Sequence, residues 1–218
     1  MKYKLQWNYK RKGKQPVTFF TDWLDGETAL EVGSDIEKTR SAEALDFTDE
    51  MGTTWTLKEM KKLLAETEEE PADLLVYFDG GYDKDSGRAG LGAIVYYRQG
   101  KKKYRLRANE VIEEMESNNE AEYAAFYFAI GLLEELGVHS MPCEFKGDSQ
   151  VVLKQLEGEW PCYEECFNNW LDRIEAKLKK LALLPRYIAV PRNENKEADK
   201  LAAQALQGKI INSKMQII

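Results

Sequence analysis

The order in which strand-like and helix-like segments follow one another limits the fold of this chain more than any other feature. Over residues 73–207 the predicted order is three strands, a helix, a strand, two helices, a strand and a helix, or βββαβααβα. An antiparallel meander followed by alternating strands and helices is typical of a mixed sheet covered by helices. We therefore predict an α/β domain with a mixed five-stranded sheet flanked by helices.

The segments behind this prediction are short and well separated. The first strand is the apolar run Leu74–Phe78, which is followed directly by Asp79-Gly80-Gly81. The other predicted strands lie at 90–97, 103–108, 142–146 and 185–190, and the predicted helices lie at 119–136, 150–156, 162–181 and 195–206.

The first 65 residues predict a separate small α+β domain with the order ββαββα. The predicted elements are strands at 2–9 and 16–23, a helix at 25–39, two short strands around 51–52 and a helix led by Thr56. The basic segment 10–14, which contains Gly13, indicates a hairpin turn between the first two strands. Glu59 stands three residues after Thr56, the spacing of a capping box.

Two further boundaries complete the predicted organisation of the chain. Residues 66–71 are Glu-Thr-Glu-Glu-Glu-Pro, an acidic run ending in proline. Such a run packs poorly and stops a helix, so we interpret residues 66–72 as a linker. Residues 208–218, which follow the last predicted helix, are expected to form a C-terminal tail.

Composition excludes several classes of protein. Hydrophobic residues make up 43% of the chain and charged residues 32%, which is typical of a folded protein rather than a disordered one. No apolar run approaches the roughly 18 residues of a membrane span, and the first residues do not resemble a signal peptide. We therefore expect a cytoplasmic protein without a membrane segment. The net charge of −7 argues against a basic surface all over the molecule.

Cysteine and histidine are too few for the sites that they usually build. The chain contains three cysteines and one histidine, His139. A structural zinc site needs about four ligands, so we interpret Cys143, Cys162 and Cys166 as free thiols. A single histidine also argues against a catalytic triad built on that residue.

Four acidic residues fall at predicted element ends where ligands commonly bind. Asp79 and Asp148 each close a predicted strand, and the carboxyl ends of strands in an α/β sheet are binding positions. Glu122 lies in the first turn of the long helix and Asp199 in the first turns of the last helix. Each residue also has a structural interpretation, as a turn residue, a helix cap or a charge near a helix N-terminus.

A cluster of these carboxylates would require compensating positive charge. Carboxylates that lie close together repel by several kcal/mol unless cations offset them. Mg²⁺ prefers carboxylate, water and phosphate oxygens, and two such ions about 4 Å apart can activate water and stabilise the leaving oxygen of a phosphodiester. This chemistry needs neither histidine nor cysteine.

The residues around these four positions resemble the motifs of type 1 ribonuclease H. The four segments are Asp79-Gly80-Gly81, Ser117-Asn118-Asn119-Glu120-Ala121-Glu122, Gly147-Asp148-Ser149-Gln150 and Asn195-Lys196-Glu197-Ala198-Asp199-Lys200-Leu201-Ala202. Their order and the elements between them match as well, over residues 73–207. The chain resembles the handle-less, archaeal-like or Bacillus-type subgroup, with an extra N-terminal domain.

The resemblance implies an endoribonuclease that hydrolyses the RNA strand of RNA/DNA hybrids with two ions of Mg²⁺ or Mn²⁺. It assigns Asp79, Glu122, Asp148 and Asp199 as catalytic metal ligands. Glu120 lies two residues from Glu122 along the helix and is expected to point elsewhere. The implied substrate contacts are Gly80, Gly81, Ser117, Asn118, Asn119, Gln150, Arg192 and Asn195.

Two regions depart from the family pattern. Many bacterial members have a histidine in the loop before the last motif, where this chain has Arg192, which is either a residue that aids product release or a surface arginine. The basic helical handle is replaced by the acidic segment 157–165, which weakens the expected grip on phosphates. Trp160 in this segment is either a stacking surface or a core aromatic.

Alternative functions follow from these departures. The domain could be a catalytically weak or inactive nucleic-acid-binding module, or a structure-specific DNA nuclease on the same fold. The basic segment 10–14 with nearby Trp7, Tyr9 and Phe19 suits nucleic acid, although hairpin tips are often charged for solubility alone. The N-terminal domain is therefore either a nucleic-acid-binding or a protein-binding element.

Overall fold

The computed structural model describes residues 1–9, 15, 17–39 and 42–217, without the side chains of residues 42, 43 and 66–69. The chain divides into two compact units, Met1–Glu69 and Glu70–Ile218. Each unit has its own hydrophobic core. No described helix combines the length and the apolar character needed to cross a membrane.

The first unit is a small α+β structure. Its elements are β1 (Lys2–Tyr9), β2 (Val17–Phe20), β3 (Leu24–Asp25), α1 (Gly26–Lys38), β4 (Ala42–Asp49), β5 (Thr54–Thr56) and α2 (Leu57–Glu69). The sheet has the order β2-β1-β4-β5, with β3 also paired to β1. The predicted order is present with the two-residue β3 added, while the predicted hairpin tip at 10–14 lies outside the described residues.

Side-chain caps fix the starts of both helices in this unit. Asp25 accepts a hydrogen bond from the backbone N–H of Thr28 at 2.9 Å and so caps α1. Glu59 accepts from the backbone N–H of Thr56 at 2.8 Å, and Thr56 Oγ1 accepts from the N–H of Glu59 at 3.3 Å. The capping box predicted from the sequence is confirmed.

The division between the two units falls inside the predicted segment 66–72, but this segment is helix and strand rather than an irregular linker, which corrects that part of the sequence prediction. Helix α2 continues to Glu69, and strand β6 begins at Pro71. Glutamate is a good helix former, and the backbone is pushed out of the helical region only at the residue before a proline. Pro71 is the first residue of its strand, a position where proline is tolerated.

The second unit is a six-stranded mixed sheet covered by helices. Its elements are β6 (Pro71–Asp83), β7 (Arg88–Gln99), β8 (Lys102–Ile112), α3 (Asn118–Glu135), β9 (Pro142–Gly147), α4 (Gln150–Leu156), α5 (Glu165–Lys180), β10 (Leu184–Ala189), α6 (Lys196–Leu206) and β11 (Asn212–Ile217). The strand order is β10-β9-β6-β7-β8-β11. Strands β6, β9 and β10 are parallel, and the other pairs are antiparallel.

The sixth strand corrects the prediction of five strands and a C-terminal tail. Residues of β11 pair with β8 from Asn212↔Ala108 to Ile217↔Lys103. The side chain of Asn109 holds the chain that leads into β11, because its Oδ1 accepts from the N–H of Ile211 and its Nδ2 donates to the carbonyl of Lys209. The mostly exposed β11 lacks the alternating apolar pattern that would reveal a strand in the sequence.

Helices lie on both faces of this sheet. On one face α3 packs against β6 and β7, with α4 and α5 beside it. Helix α3 is apolar on nearly all sides, as expected for a helix that lies between a sheet and other helices. Phe126 of α3 packs against Phe78 and Phe145 of the sheet at centroid distances of 5.0 and 4.7 Å. Helix α6 lies on the opposite face against β6, β7 and β8.

Candidate active site

The site forms where the two central parallel strands separate. Strands β6 and β9 are paired up to Tyr77↔Lys146. Asp79 and Asp148 each follow two residues later, so they lie at the same level beyond the last pair. The sequence prediction that β6 ends at Asp79 is wrong, because β6 continues to Asp83 in antiparallel pairing with β7. The separation from β9, rather than the end of the strand, creates the open edge.

Gly80 allows helix α3 to approach this edge. A Cβ atom at Gly80 would lie 2.2 Å from the carbonyl oxygen of Ala121 and 2.5 Å from the nitrogen of Glu122. The backbone of α3 therefore fills the space that a side chain would need. The resemblance predicts that RNA approaches Gly80. In the structure, the absence of a side chain at Gly80 lets α3 come close to β6, which brings Glu122 next to Asp79.

Three of the four predicted ligands converge at this edge. Asp79, Glu122 and Asp148 each offer an oxygen, and these oxygens all lie within 4.8 Å of one another. Asp79 and Glu122 are each only 6% exposed. Oε2 of Glu122 is buried and has no hydrogen-bond partner within the described part of the chain. An unsatisfied buried carboxylate oxygen is costly, and this oxygen is free to accept a ligand or a cation.

The electrostatics of this cluster disfavour full ionisation. Burial, followed by the charges of Asp148 and Asp199, raises the pKa of Asp79 from 3.8 to about 7. Burial also raises the pKa of Glu122 well above its ordinary value, and the charges of Asp79 and Asp148 add to this effect. Clustered carboxylates with raised pKa values are typical of functional sites.

Asp199 lies in the same cleft but outside the group of three. It is half-buried on α6, and its Oδ1 accepts a hydrogen bond from Arg192 Nη2 at 2.9 Å. The Arg192 side chain is 79% exposed. The structure thus places the fourth predicted carboxylate near the cluster, where an arginine currently balances its charge.

Two glycines that the sequence analysis did not single out position α6. A Cβ atom at Gly90 would lie 2.1 Å from the carbonyl oxygen of Ala202, and one at Gly92 would lie 2.3 Å from that of Ala198. Both glycines face α6 from strand β7, so the helix that carries Asp199 packs directly on the strand backbone. The signal available in the sequence was the Gly-x-Gly spacing, which places both residues on one face of a strand.

The buried side chain of Asn195 contacts the carboxylates of Asp79 and Asp148. It is 1% exposed, and its Nδ2 lies 3.0 Å from the carbonyl oxygen of Phe78, 3.2 Å from Asp79 Oδ1 and 2.9 Å from Asp148 Oδ1. The resemblance assigns Asn195 to substrate contact. Its burial and partners suit a residue that holds Asp79 and Asp148 together, since the amide is enclosed below the cleft.

The cleft above the cluster has a volume of about 280 Å³. Its lining consists of Asp79, Gly80, Gly81, Asn118, Glu122, Asp148, Ser149, Arg192 and Asp199. Ser149 is a lining residue missing from the predicted contacts, although it belongs to the third motif. It occupies the N-cap position of α4 without making a side-chain cap bond.

The other predicted substrate contacts lie around the cleft. Asn118 lines it, while Asn119 and Gln150 are exposed at the starts of α3 and α4. Ser117 is the N-cap of α3 and accepts from the backbone N–H of Glu120 at 3.2 Å. Its hydroxyl is therefore already engaged in holding the helix start.

Glu120 points away from the cluster, as predicted. Its Oε2 accepts from the backbone N–H of Glu116 at 2.9 Å, and its Oε1 accepts from Trp170 Nε1 at 3.1 Å. These bonds connect the turn before α3 to α5. Glu120 thus fixes the helix start from the side opposite to Glu122.

The segment that replaces the basic handle carries little available positive charge. Lys154 Nζ lies 2.7 Å from Glu157 and 2.9 Å from Glu159. Trp160 is 47% exposed, so it is a surface residue rather than a core aromatic. This region offers a ring but few free cations to a nucleic acid.

The donor set fits a hard divalent cation. All three clustered groups are carboxylates, and hard cations such as Mg²⁺ and Mn²⁺ prefer such oxygens. The unpaired Oε2 of Glu122 and the raised pKa of Asp79 both indicate that positive charge would stabilise the cluster. The residues that could hold it are Asp79, Glu122 and Asp148, with Asp199 at the rim of the same cleft.

The second unit is similar to proteins of known sequence and structure. Residues 77–205, more than half of the chain, match the family described as reverse transcriptase-like. The chain is 31% identical over 135 residues to ribonuclease HI of Halobacterium salinarum, which covers 60% of this chain and 62% of that protein. The crystal structure of RNase H1 from that archaeon matches with a TM-score of 0.54 and 29% identity, over 62% of this chain and 98% of the other.

The chain belongs to the type 1 ribonuclease H family.

Two further matches place this chain among its relatives. LC11-RNase H1, solved in complex with an RNA/DNA hybrid, matches with a TM-score of 0.54 and 26% identity, over 62% of this chain and 98% of the other. The uncharacterized protein YpeP of Bacillus subtilis (strain 168) is 44% identical over 214 residues, covering 98% of this chain and 94% of that protein. The family match falls within the second unit, whereas the likeness to the Bacillus protein spans both units.

Proposed function

We propose that this ribonuclease H is an endoribonuclease that cuts the RNA strand of RNA/DNA hybrids. The observation that carries the proposal is the buried group formed by Asp79, Glu122 and Asp148, whose oxygens lie within 4.8 Å of one another in a cleft. The likeness to ribonuclease HI supports the substrate, as does the neighbour that was solved with a hybrid.

The proposed metal ligands are Asp79, Glu122, Asp148 and Asp199, holding two ions of Mg²⁺ or Mn²⁺. Such ions supply an activated water and stabilise the leaving oxygen of the phosphodiester. Asn195 orients the carboxylates of Asp79 and Asp148 through its amide.

Substrate binding is assigned to residues around the cleft. Gly81 and Asn118 line it, and Asn119 and Gln150 are exposed beside it, where they could read the minor groove of a hybrid. Ser149 is added to this group because its hydroxyl makes no cap bond. Arg192 is exposed at the rim of the cleft, where its guanidinium could leave the carboxylate of Asp199 and bind a phosphate of the substrate.

A cleavage assay tests this proposal. Wild-type protein with Mg²⁺ or Mn²⁺ should cut a hybrid whose RNA strand carries a 5′ label, giving internal products, and should leave duplex DNA and duplex RNA intact. Asp79→Asn should lower the rate by about a hundredfold or more. Asp85→Asn is the matched control, because Asp85 is exposed in the β6–β7 turn, and it should keep wild-type activity.

Failure would take a definite form. No metal-dependent cleavage by wild type, or equal cleavage by Asp79→Asn, would contradict the proposal. Preferential cutting of duplex or branched DNA would instead indicate a DNA nuclease on the same fold.

The second candidate function is a hybrid-binding module with weak or absent catalysis. Two ion pairs favour it. Lys154 is paired with Glu157 and Glu159, so its charge is less available to a phosphate. Asp199 is paired with Arg192, so its carboxylate is less available to a metal ion. This alternative predicts that wild type and Asp79→Asn bind a hybrid equally and that neither turns it over. Turnover by wild type alone would exclude it.

A further inference from the structure

Helix α6 carries Asp199 in its first turn, yet the start of this helix has no side-chain cap. Asn195 occupies the N-cap position and makes no cap hydrogen bond. Its Nδ2 is directed to Asp79 and Asp148 instead. A side chain at the N-cap normally holds the first turn by accepting from its free N–H groups. The place of Asp199 therefore depends on contacts that other elements make with this turn.

The contacts of α6 with the middle of strand β7 involve no polar side chain. Gly90 and Gly92 meet the backbone of the helix directly. Ile94 packs against Ala198 and Leu201 of the helix in a small apolar cluster. Such contacts determine how closely the helix approaches the sheet, but apolar packing is not directional. They leave the orientation of the first turn to polar contacts.

The polar contacts come mainly from strand β8. Arg107 lies opposite Ile94 in the β7–β8 register, and Arg105 lies opposite Tyr96, so both arginines face α6. Arg105 Nη1 lies 3.3 Å and Arg107 Nε 3.0 Å from Oε1 of Glu197. The hydroxyl of Tyr96 donates to Glu197 Oε2 at 3.4 Å. One carboxylate in the first turn of α6 thus binds side chains of two strands.

These ion pairs are partly withdrawn from solvent. The side chains of Arg105, Arg107 and Glu197 are 24%, 27% and 35% exposed, and we call the three together the α6 anchor. Within the described part of the chain, Glu197 is the only acid at ion-pair distance from either arginine. Ion pairs are stronger away from water, and loss of the shared carboxylate would leave two half-buried cations without a partner. The anchor therefore depends on Glu197.

Residues two apart on a helix point to nearly opposite sides, so the turn that presents Glu197 to β8 presents Asp199 to the cleft. We propose that Glu197 is a positioning residue of the active site, which holds Asp199 beside Asp79 and Asp148 through its ion pairs with the two arginines of β8. Glu197 does not line the cleft, so it acts through Asp199. This inference rests on the proposed function, in which Asp199 is a metal ligand.

Binding of Mn²⁺ to the full-length chain without substrate tests this proposal, with electron paramagnetic resonance reporting the free ion. Glu197→Gln should raise the Kd for Mn²⁺ by about tenfold, as is usual for residues that support metal ligands. Glu197→Asp keeps the charge and should recover most of the affinity. In the hybrid assay Glu197→Gln should need more metal at an unchanged KM for the hybrid.

Two control variants should keep the wild-type affinity for Mn²⁺. Glu194→Gln removes an exposed carboxylate just before the same helix, which measures the effect of charge alone. Val138→Ala removes methyl groups from a buried core position outside α6, which measures the effect of lower stability alone. Circular dichroism and thermal melting show that each variant is folded.

The arginines provide a second, independent measurement. If only charge mattered, Arg105→Gln combined with Arg107→Gln would tighten Mn²⁺ binding, because positive charge near the cluster is removed. Loss of the anchor should weaken it instead, and Glu197→Gln added to this pair should cause little further loss, because the three side chains act as a unit. Hydrogen exchange in EDTA should be faster in α6 of these variants and unchanged in α3.

Three outcomes would overturn the proposal. The first is wild-type Mn²⁺ affinity in folded Glu197→Gln. The second is tighter binding by the double arginine variant, which would leave only an effect of charge. The third is an equal loss in Val138→Ala, which would leave only an effect of stability.

Failure of the proposed function is distinguishable from these outcomes. Mn²⁺ binding by a wild-type protein that cuts no hybrid would contradict the proposed function alone, and the order of affinities among the variants would still decide the role of Glu197. A wild-type protein that binds no Mn²⁺ would overturn both.

Discussion

At the scale of single residues, the carboxylates of Asp79, Glu122 and Asp148 lie close together. Burial and mutual repulsion raise the pKa values of Asp79 and Glu122. The positions of these carboxylates were accessible from the sequence because each belongs to a short motif at an element boundary. The position of Asn195 within its motif was visible too, but its role was not, since only the fold shows that its amide lies between Asp79 and Asp148.

The raised pKa of Asp79 predicts how stability depends on pH without metal. Between its ordinary value of 3.8 and the folded value of about 7, the folded protein holds more protons than the unfolded chain. The contribution of Asp79 to the free energy of unfolding should therefore fall as pH rises through this window, by on the order of a few kcal/mol. Urea unfolding in EDTA at several pH values between about 4 and 8 measures the slope.

Two controls accompany that measurement. Asp79→Asn should be more stable than wild type near neutral pH and should show a shallower slope. Mg²⁺ should restore stability at the upper end of the window, because it binds the folded state preferentially. A slope in Asp79→Asn that equals that of wild type would contradict the electrostatic description of the cluster.

Asn195→Ala tests whether the amide acts through the carboxylates. Loss of the bonds to Asp79 and Asp148 should weaken apparent metal affinity by about 10–100-fold, as is usual for partners of metal ligands. The measurement is the Mg²⁺ concentration needed for half-maximal cleavage, together with the rate at saturating Mg²⁺. If the KM for hybrid rises while the metal requirement stays constant, Asn195 is a substrate contact instead.

At the scale of elements, three close contacts between backbones assemble the site. Helix α3 meets β6 at Gly80, and helix α6 meets β7 at Gly90 and Gly92. The helices and strands themselves were predictable from apolar patterning and capping signals. The contacts were not, because a glycine in a strand is equally compatible with a turn, a bulge or a close approach.

Gly92→Ala should disturb both stability and activity. The added methyl group would lie 2.3 Å from the carbonyl oxygen of Ala198 and 2.7 Å from the nitrogen of Ala202, so α6 must shift. We expect a loss of about 1–3 kcal/mol in the free energy of unfolding, and slower cleavage because α6 carries Asp199. Denaturant unfolding and the hybrid assay measure the two effects.

Gly131→Ala is the matched control for that variant. Gly131 lies within α3, and the nearest atom to an added Cβ is the side-chain nitrogen of Lys177 at 3.3 Å, not a backbone atom. Alanine also has the higher helix propensity, so this variant should be as stable as wild type or more so. Equal stability of the two variants would show that α6 does not need a glycine at position 92.

At the scale of the whole molecule, the two units have separate hydrophobic cores. The core of the second unit includes Phe78, Phe126 and Phe145, whereas that of the first is built around Leu5, Phe47 and Met60. The four proposed ligands all belong to the second unit.

A fragment beginning at Glu70 tests this independence. It retains the whole six-stranded sheet and its helices, so it should unfold cooperatively and cut hybrids at a rate within about tenfold of the full chain. Calorimetry and the hybrid assay measure the two properties. A fragment that stays unfolded, or that folds without activity while the full chain is active, would show that the first unit completes the second.

The sequence by itself determined the family, the order of the main elements and the identity of the carboxylates, because patterning, caps and motifs are local properties of the chain. Only the tertiary structure decided that the segment 66–72 belongs to a helix and a strand, that 212–217 forms a sixth strand, and that Gly80, Gly92 and Asn195 assemble the cluster. These features depend on which backbone lies against which, and residues far apart in the chain meet only when the sheet and its helices have packed.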